Sequence, residues 1–316
     1  MTPSKNYYWR IAGFYFFYYA FVGMFAPYWS LYLQSIHFNA IEISILMSMQ
    51  PVMRMIAPNL WGWLADHTGK RLMVVQLAAT ISAVCYLGVF FTTSFWGMLL
   101  VLALMAFFWS ASMPLVEATT LSYLGKQAAH YGRIRSWGSI GFIVAVVGLG
   151  YAFDYIAIAW LLWAGLVCEI GILIFSRQIP KTEVLAHHTD SQSIKQIVLQ
   201  PRVIALFSAC FFMSVAHGPY YTFYSIYLVE HGYAKSAVGG LWALGVICEI
   251  GVFFLMPWLV RHFGLTHILL VSFACAVLRF LLIGWYVDYI VLLLFAQVLH
   301  AATFGAYHAA SVGLVH

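Results

Sequence analysis

The sequence predicts an all-α protein that crosses a membrane many times, and three observations carry that prediction. Of its 316 residues, 64% are hydrophobic and only 8% are charged, whereas a soluble domain carries about 25% charged residues. A globule this apolar has too little polar surface to cover its core, so lipid is its solvent. Apolar stretches long enough to cross a hydrocarbon core of roughly 30 Å recur along the chain. The alternating segments of about ten residues that mark a membrane barrel do not appear. Helices are then the way to satisfy backbone groups in lipid.

In order, the predicted spans are 11–33, 42–63, 72–91, 96–122, 137–153, 157–176, 203–228, 237–259, 267–286 and 288–311. The first, Ile11 to Leu33, has no small-residue cleavage pattern after a short apolar core, so it is expected to be a retained helix. The ends of the spans sort the basic residues by side. Lys5, Arg10, Lys70, Arg71, Lys126, Arg133, Arg135, Arg177, Lys181, Lys195, Arg202 and Arg261 fall on the side of the N-terminus, and Lys235 alone on the other. By the positive-inside rule the N-terminus is cytoplasmic, in an inner membrane. The long polar stretch between Arg177 and Arg202 reads as a cytoplasmic linker. The expected organisation is a six-span bundle (1–176), the linker (177–202) and a four-span bundle (203–316).

The net charge of +5 does not argue for nucleic acid, because the basic residues follow the membrane sides. The five cysteines lie in apolar segments without metal-ligand spacing and read as buried free thiols. No cofactor is implied. No nucleophile triad or phosphate loop points to an enzyme.

Sliding the chain by 195 residues aligns the second half on the first without a gap. Ser30-Leu31-Tyr32-Leu33 falls on Ser225-Ile226-Tyr227-Leu228, Gly23 on Gly218, Trp63-Leu64 on Trp258-Leu259, and His67 and Gly69 on His262 and Gly264. Parallel duplication of this kind marks transporters whose substrate site lies between two halves. Two halves already form the usual unit, so a monomer is expected.

After the second span comes Gly62-Trp63-Leu64-Ala65-Asp66-His67-Thr68-Gly69-Lys70-Arg71, the strongest single signal in the chain. Glycines Gly62 and Gly69 are expected to permit a tight turn between antiparallel helices. Asp66, Lys70 and Arg71 are expected to bond helix ends. A merely solvated loop is the plainer alternative. The second copy keeps the turn but has Arg261 where Asp66 stood.

Ionisable residues within spans are functional candidates by default, since each costs about 2.5–3.5 kcal/mol at the bilayer centre. Here they are Arg54, Glu117, Glu169, Glu249 and Arg279, with His217, His300 and His308 as titratable rings. Arg54 and Glu249 are 195 apart and so occupy equivalent depths, as a coupling pair or a purely structural ion pair. Glu169, placed near the cytoplasmic end of its span, is expected to snorkel and is given no role. His308, also near an end, reads as a packing histidine. Most aromatics belong to the interfacial belt. Tyr28, Trp29, Tyr220 and Tyr221 sit in polar-broken stretches beside Pro27, His217, Gly218 and Pro219, and such breaks tend to line a cavity.

On these residues the chain resembles the major facilitator superfamily, whose loop motif has the G-x-x-x-D-x-x-G-x-R spacing of Gly62 to Arg71. Within it the chain is similar to the phenylpropionate permease group, related to oligosaccharide–proton symporters such as lactose permease. The stretches 131–142, 216–253 and 298–310 carry this resemblance. It implies a major facilitator fold of two pseudo-symmetric six-helix halves, of which this chain holds ten of twelve spans. A fragment is therefore expected. It also implies that Arg135 and Glu117 match the substrate-holding arginine and acid, and that Arg279 and His300 match the proton-coupling pair. Thr303 stands where the coupling acid is expected, so Glu249 is assigned the proton, with His217 nearby.

The implied function is import of a small organic acid, 3-phenylpropionate or a related aromatic carboxylate, together with a proton. Arg135 or Arg54 would hold the carboxylate, and Tyr28, Trp29, Tyr220 and Tyr221 would pack the ring. A sugar or nucleoside symporter is the alternative, since Glu117 and Arg135 have the sugar-permease spacing. A non-transporting membrane receptor or remnant is the rival from another class.

Overall fold

Among the residues that the computed structural model describes, 5–125, 130–180 and 198–315, nine helices are long and apolar enough to cross a bilayer, and there is no strand. In chain order the elements are α1 (Lys5–Ser35), α2 (Ala40–Thr68), α3 (Arg71–Tyr86), α4 (Phe95–Leu124) and α5 (Tyr131–Phe153). They continue with α6 (Leu161–Ser176), α7 (Pro201–Glu230), α8 (Lys235–Trp285) and α9 (Ile290–His300). A π-helical turn, Ala301–Ala306, then leads into α10 (Tyr307–Val315). Short 3₁₀ turns at Leu87–Phe90 and Ile158–Trp160 end α3 and open α6.

Nine helices and ten predicted spans are reconciled in α8. Its 51 residues contain one non-helical position, Gly264, at φ 72° and ψ 157°. The helix is therefore two span-length segments joined at a residue whose backbone only glycine adopts without strain. Several helices also run past their apolar stretches. At about 1.5 Å per residue, a helix of this length projects beyond the hydrocarbon core.

Two compact units make up the chain, residues 1–186 and 187–316. Most of the predicted linker (181–197, with Lys181 and Lys195) and Lys126 of an earlier loop lie outside the described residues. In the first unit α1 packs on α5 and α6, α3 on α4 and α6, and α2 on α4. Phe14, Tyr15, Phe21, Met24 and Trp29 of α1 and Tyr86 of α3 are fully buried in its core. In the second unit α8 packs on α9, the π turn and α10. A core of Met256, Ile268, Leu269, Ala306 and Ala310 lies there.

The internal repeat is visible in the backbone. α1 ends with His37 at φ 70°, and α7 with Gly232 at φ 84°, 195 residues later. At both ends the same bond closes the helix, from Phe38 N–H to Leu33 C=O (3.2 Å) and from Tyr233 N–H to Leu228 C=O (3.1 Å). This is the six-to-one bond of a Schellman cap. Gly69, at φ 66° and ψ 9°, and Gly264, at φ 72° and ψ 157°, share a positive φ at repeat-related positions but differ in ψ. A further match is the ring contact of Trp63 with His67 (5.3 Å between centroids), repeated by Trp258 with His262 (4.5 Å). Divergence shows at the next helix start. Asn39 and Glu42 form a full capping box at α2, while Ala234 leaves α8 without a side-chain cap.

Candidate functional site

Three polar clusters stand out against the apolar helices, two in the first unit and one in the second. The first is on α1, α4 and α5. Arg135, placed by the sequence in a loop, lies in the second turn of α5 and is half-buried. Its Nη2 donates to the Tyr19 hydroxyl, and its guanidinium lies 4.1 Å from the Tyr19 ring centroid and 5.8 Å from that of Tyr15. Glu117, half-buried on α4, accepts from the hydroxyl of Tyr131. Acid and base thus stand in one cluster, each engaged by a tyrosine. Sequence reasoning missed both tyrosines, though a signal was present: Tyr15 and Tyr19, and Tyr131 and Arg135, are each one helical turn apart.

Arg54 is exposed on α2. Its Nη2 lies 3.5 Å from Gln50 Oε1 and its guanidinium 5.2 Å from the Trp109 ring, which stacks on Tyr18 at 4.0 Å. Tyr28 and Trp29 are placed differently from the expectation that they line a cavity. Both are 0% exposed. The Tyr28 hydroxyl donates to Val146 O on α5 at 2.6 Å, and Trp29 stacks on Phe25 at 5.1 Å. They face the bundle interior, because that side of α1 is the one packed on its neighbours. Glu169 is a second correction. It lies in the middle of α6, 0% exposed, and does not snorkel.

The loop cluster joins α2 to α3. Asp66 Oδ1 accepts from Arg71 Nη2 at 2.7 Å and Nε at 3.3 Å, while Gly69 caps α2 in the left-handed conformation. Lys70 is exposed at the start of α3. Gly62 departs from the expectation of a turn glycine. It lies within α2, and a Cβ there would meet nothing within 4 Å.

In the second unit, Arg279 of α8 is 0% exposed. Its Nη1 contacts His217 Nε2 at 3.5 Å and donates to Thr303 Oγ1 at 3.3 Å. His217 Nδ1 lies 2.8 Å from Met213 O. That carbonyl only accepts, so Nδ1 carries hydrogen and Nε2 presents its lone pair to the arginine. The guanidinium lies 4.1 Å from the Tyr220 ring centroid. A desolvated cation on an aromatic face gains about 2 kcal/mol, comparable to the cost of placing it in the membrane. Arg279 Nε and Nη2 have no hydrogen-bond partner among the described residues.

Tyr220 is buried and donates to Gln297 Oε1 at 3.1 Å, and Gln297 Nε2 donates to the Tyr224 hydroxyl at 2.6 Å. Tyr221 is half-buried, 5.9 Å from the Trp242 ring. His300, 7% exposed, stacks on Phe304 at 5.5 Å. Glu249 is half-buried one turn beyond Gly245 on α8. A Cβ on Gly245 would stand 3.0 Å from His300, and one on Gly305 would stand 3.0 Å from the Glu249 Cγ. The helix face bearing Glu249 therefore packs on the π turn that follows His300, and such turns recur at functional sites. His308 is exposed and does not pack inside. Gln297 was missed, although it stands one turn before His300.

The family model described as MFS_1 like family matches residues 8–316. The chain belongs to this family. It is a membrane transporter of the major facilitator type and not an enzyme. Among curated proteins, this MFS_1 like chain is 29% identical over 315 residues to the probable 3-phenylpropionic acid transporter of Escherichia coli strain K12, covering 94% of this chain and 79% of that one. It is 25% identical to the maltose permease of Geobacillus stearothermophilus, covering 85% and 68%. Among solved structures, the nucleoside transporter NupG matches with a TM-score of 0.79 at 17% identity, over 98% of this chain and 82% of that one. A bacterial homolog of the human lysosomal transporter Spinster matches with a TM-score of 0.73 at 15% identity, over 100% and 78%. These two establish the major facilitator fold.

Proposed function

We propose that this MFS_1 like protein imports a small aromatic carboxylate of the 3-phenylpropionate kind together with a proton, by alternating access. It does so in an inner membrane with its N-terminus in the cytoplasm. The observation that carries the substrate class is Arg135. The guanidinium is partly open, steadied by the hydroxyl and ring of Tyr19, and Glu117 bonds Tyr131. An arginine held this way keeps donors for a two-point bond to an incoming carboxylate, and the half-buried Tyr19 offers a ring face to an aromatic body. The similarity to a probable 3-phenylpropionic acid transporter points the same way.

For the proton, Glu249 is the assigned carrier. Glu249 sits on the α8 face that packs on the π turn following the buried His300, while Arg279 is engaged by His217 and Thr303. Neutralising Glu249 removes a charge from that contact and frees the helices to shift.

A sugar substrate is the second reading, because Glu117 and Arg135 lie in one cluster and together bond hydroxyl groups well. Competition separates the two. Labelled 3-phenylpropionate uptake is measured in vesicles with unlabelled benzoate-type acids, disaccharides and nucleosides as competitors. Inhibition by the acids alone is expected. Inhibition by a sugar or nucleoside, or no uptake of the acid, overturns the aromatic-acid reading.

A further inference from the structure

A buried carboxyl in the first unit has no part in the proposed transport chemistry. Glu169 stands in the middle of α6 at 0% exposure. α6 packs on α1 and α3 and touches the two 3₁₀ turns. The titratable groups facing Glu169 are Tyr18 of α1, Cys85 and Tyr86 of α3, and its own neighbour Cys168. Each of these is neutral in its ordinary form, and the 3₁₀ turns contribute none. Among the described residues no basic side chain lies within ion-pairing distance of this carboxyl. Oε2 has no hydrogen-bond partner there.

Burial without a counter-charge favours a protonated Glu169, and the hydrogen count around Ser82 agrees with it. Ser82 Oγ lies 3.3 Å from Glu169 Oε1 and 3.5 Å from Met105 O on α4. A serine hydroxyl has one hydrogen, while a backbone carbonyl and an ionised carboxylate only accept. A single serine hydrogen shared between two acceptors makes two weakened bonds, whereas both are full bonds if the carboxyl supplies a hydrogen of its own. The chain is then Glu169 Oε1–H to Ser82 Oγ, and Ser82 O–H to Met105 O. An unpaired carboxylate buried in a membrane span would also have no compensating charge.

We propose that Glu169 is a proton-binding site inside the N-terminal bundle. The carboxylate takes one proton from solvent, forming an O–H bond at Oε1. Losing it would draw the single Ser82 hydrogen to the carboxylate and break the bond from α3 to the Met105 carbonyl of α4. This site is separate from Glu249, and it stands whether or not transport is proton-driven.

The test is infrared spectroscopy of the full chain in lipid at neutral pH, reading the C=O band of protonated carboxyl groups. With ten Asp and Glu residues in the chain, such a band is assignable by substitution. The expected result is a band present in the unmodified protein and in Glu249→Gln, and lost in Glu169→Gln. A band of equal intensity in Glu169→Gln, or no band in the unmodified protein, overturns the proposal. Should Glu169→Gln not fold, Ser82→Ala serves instead. It removes the group that accepts the carboxyl hydrogen and is expected to shift the band, and an unshifted band contradicts the assignment.

Discussion

Arg135 is held by a tyrosine, and Tyr19→Phe tests what that contact does for the substrate. The substitution removes the hydroxyl that accepts from Arg135 Nη2 but keeps the ring 4.1 Å from the guanidinium. A hydrogen bond to a charged group contributes about 1.5–3 kcal/mol. Arg135 is only half-buried, so the low end applies, and the stacking contribution survives. A loss of about 1.4 kcal/mol is a tenfold change, so KM for the carboxylate is expected to rise roughly tenfold with little change in maximal rate. Arg135→Lys keeps the charge but loses the planar fork and its stacking. There the expected rise is roughly 30- to 150-fold, from about 2–3 kcal/mol. The assay is initial-rate uptake of labelled 3-phenylpropionate across a concentration series, with expression and thermal melting as controls. Unchanged KM in both variants would remove Arg135 from the substrate site.

Three further outcomes follow from the same geometry. Gly69→Ala places a Cβ in the left-handed region at φ 66° and ψ 9° and is expected to cost about 1–2 kcal/mol, and Gly264→Ala, in the glycine-only region at φ 72° and ψ 157°, about 1–3 kcal/mol. His37→Gly, already at φ 70°, is expected to be neutral or stabilising, and melting of the purified protein checks all three. Thr303→Val takes an acceptor from the buried Arg279 Nη1 and is expected to cost about 1–3 kcal/mol, seen as a lower melting temperature. Asp66→Asn breaks an exposed ion pair contributing about 0.2–1 kcal/mol. Melting should barely change, and any large loss of uptake would then report on the loop's role in the transport cycle.

Composition and spacing made the fold legible, because lipid permits so few structures. The period of 195 residues went further, since it pairs the helix ends at His37 and Gly232 and the positive-φ glycines Gly69 and Gly264. The candidate sites were legible only as residue types. Glu117, Arg279 and His300 stand out as ionisable groups in apolar segments, and Arg135 through the family resemblance alone, but what holds Arg135, Glu117 and Arg279 is a tyrosine, threonine or histidine from another element. Those partners carry no charge to mark them in sequence. The direction a residue faces was the other loss. Tyr28 and Trp29 flank a break at Pro27 yet point into the bundle, and Glu169 was read as near a helix end when it lies mid-helix. The first error concerns which side of a helix is packed, and that depends on neighbours more than a hundred residues away, such as Val146; the second concerns where along the helix the residue falls.

The coupling claim is tested most directly by uptake of labelled 3-phenylpropionate into membrane vesicles containing the protein, with and without an inward proton gradient. The unmodified protein and Glu249→Gln are compared side by side. Gradient-driven accumulation is expected in the first. In the second, accumulation is lost while exchange of internal for external substrate persists. Equal gradient-driven accumulation in Glu249→Gln would contradict the assignment of the proton to Glu249, and substrate uptake indifferent to the gradient in the unmodified protein would contradict proton coupling itself.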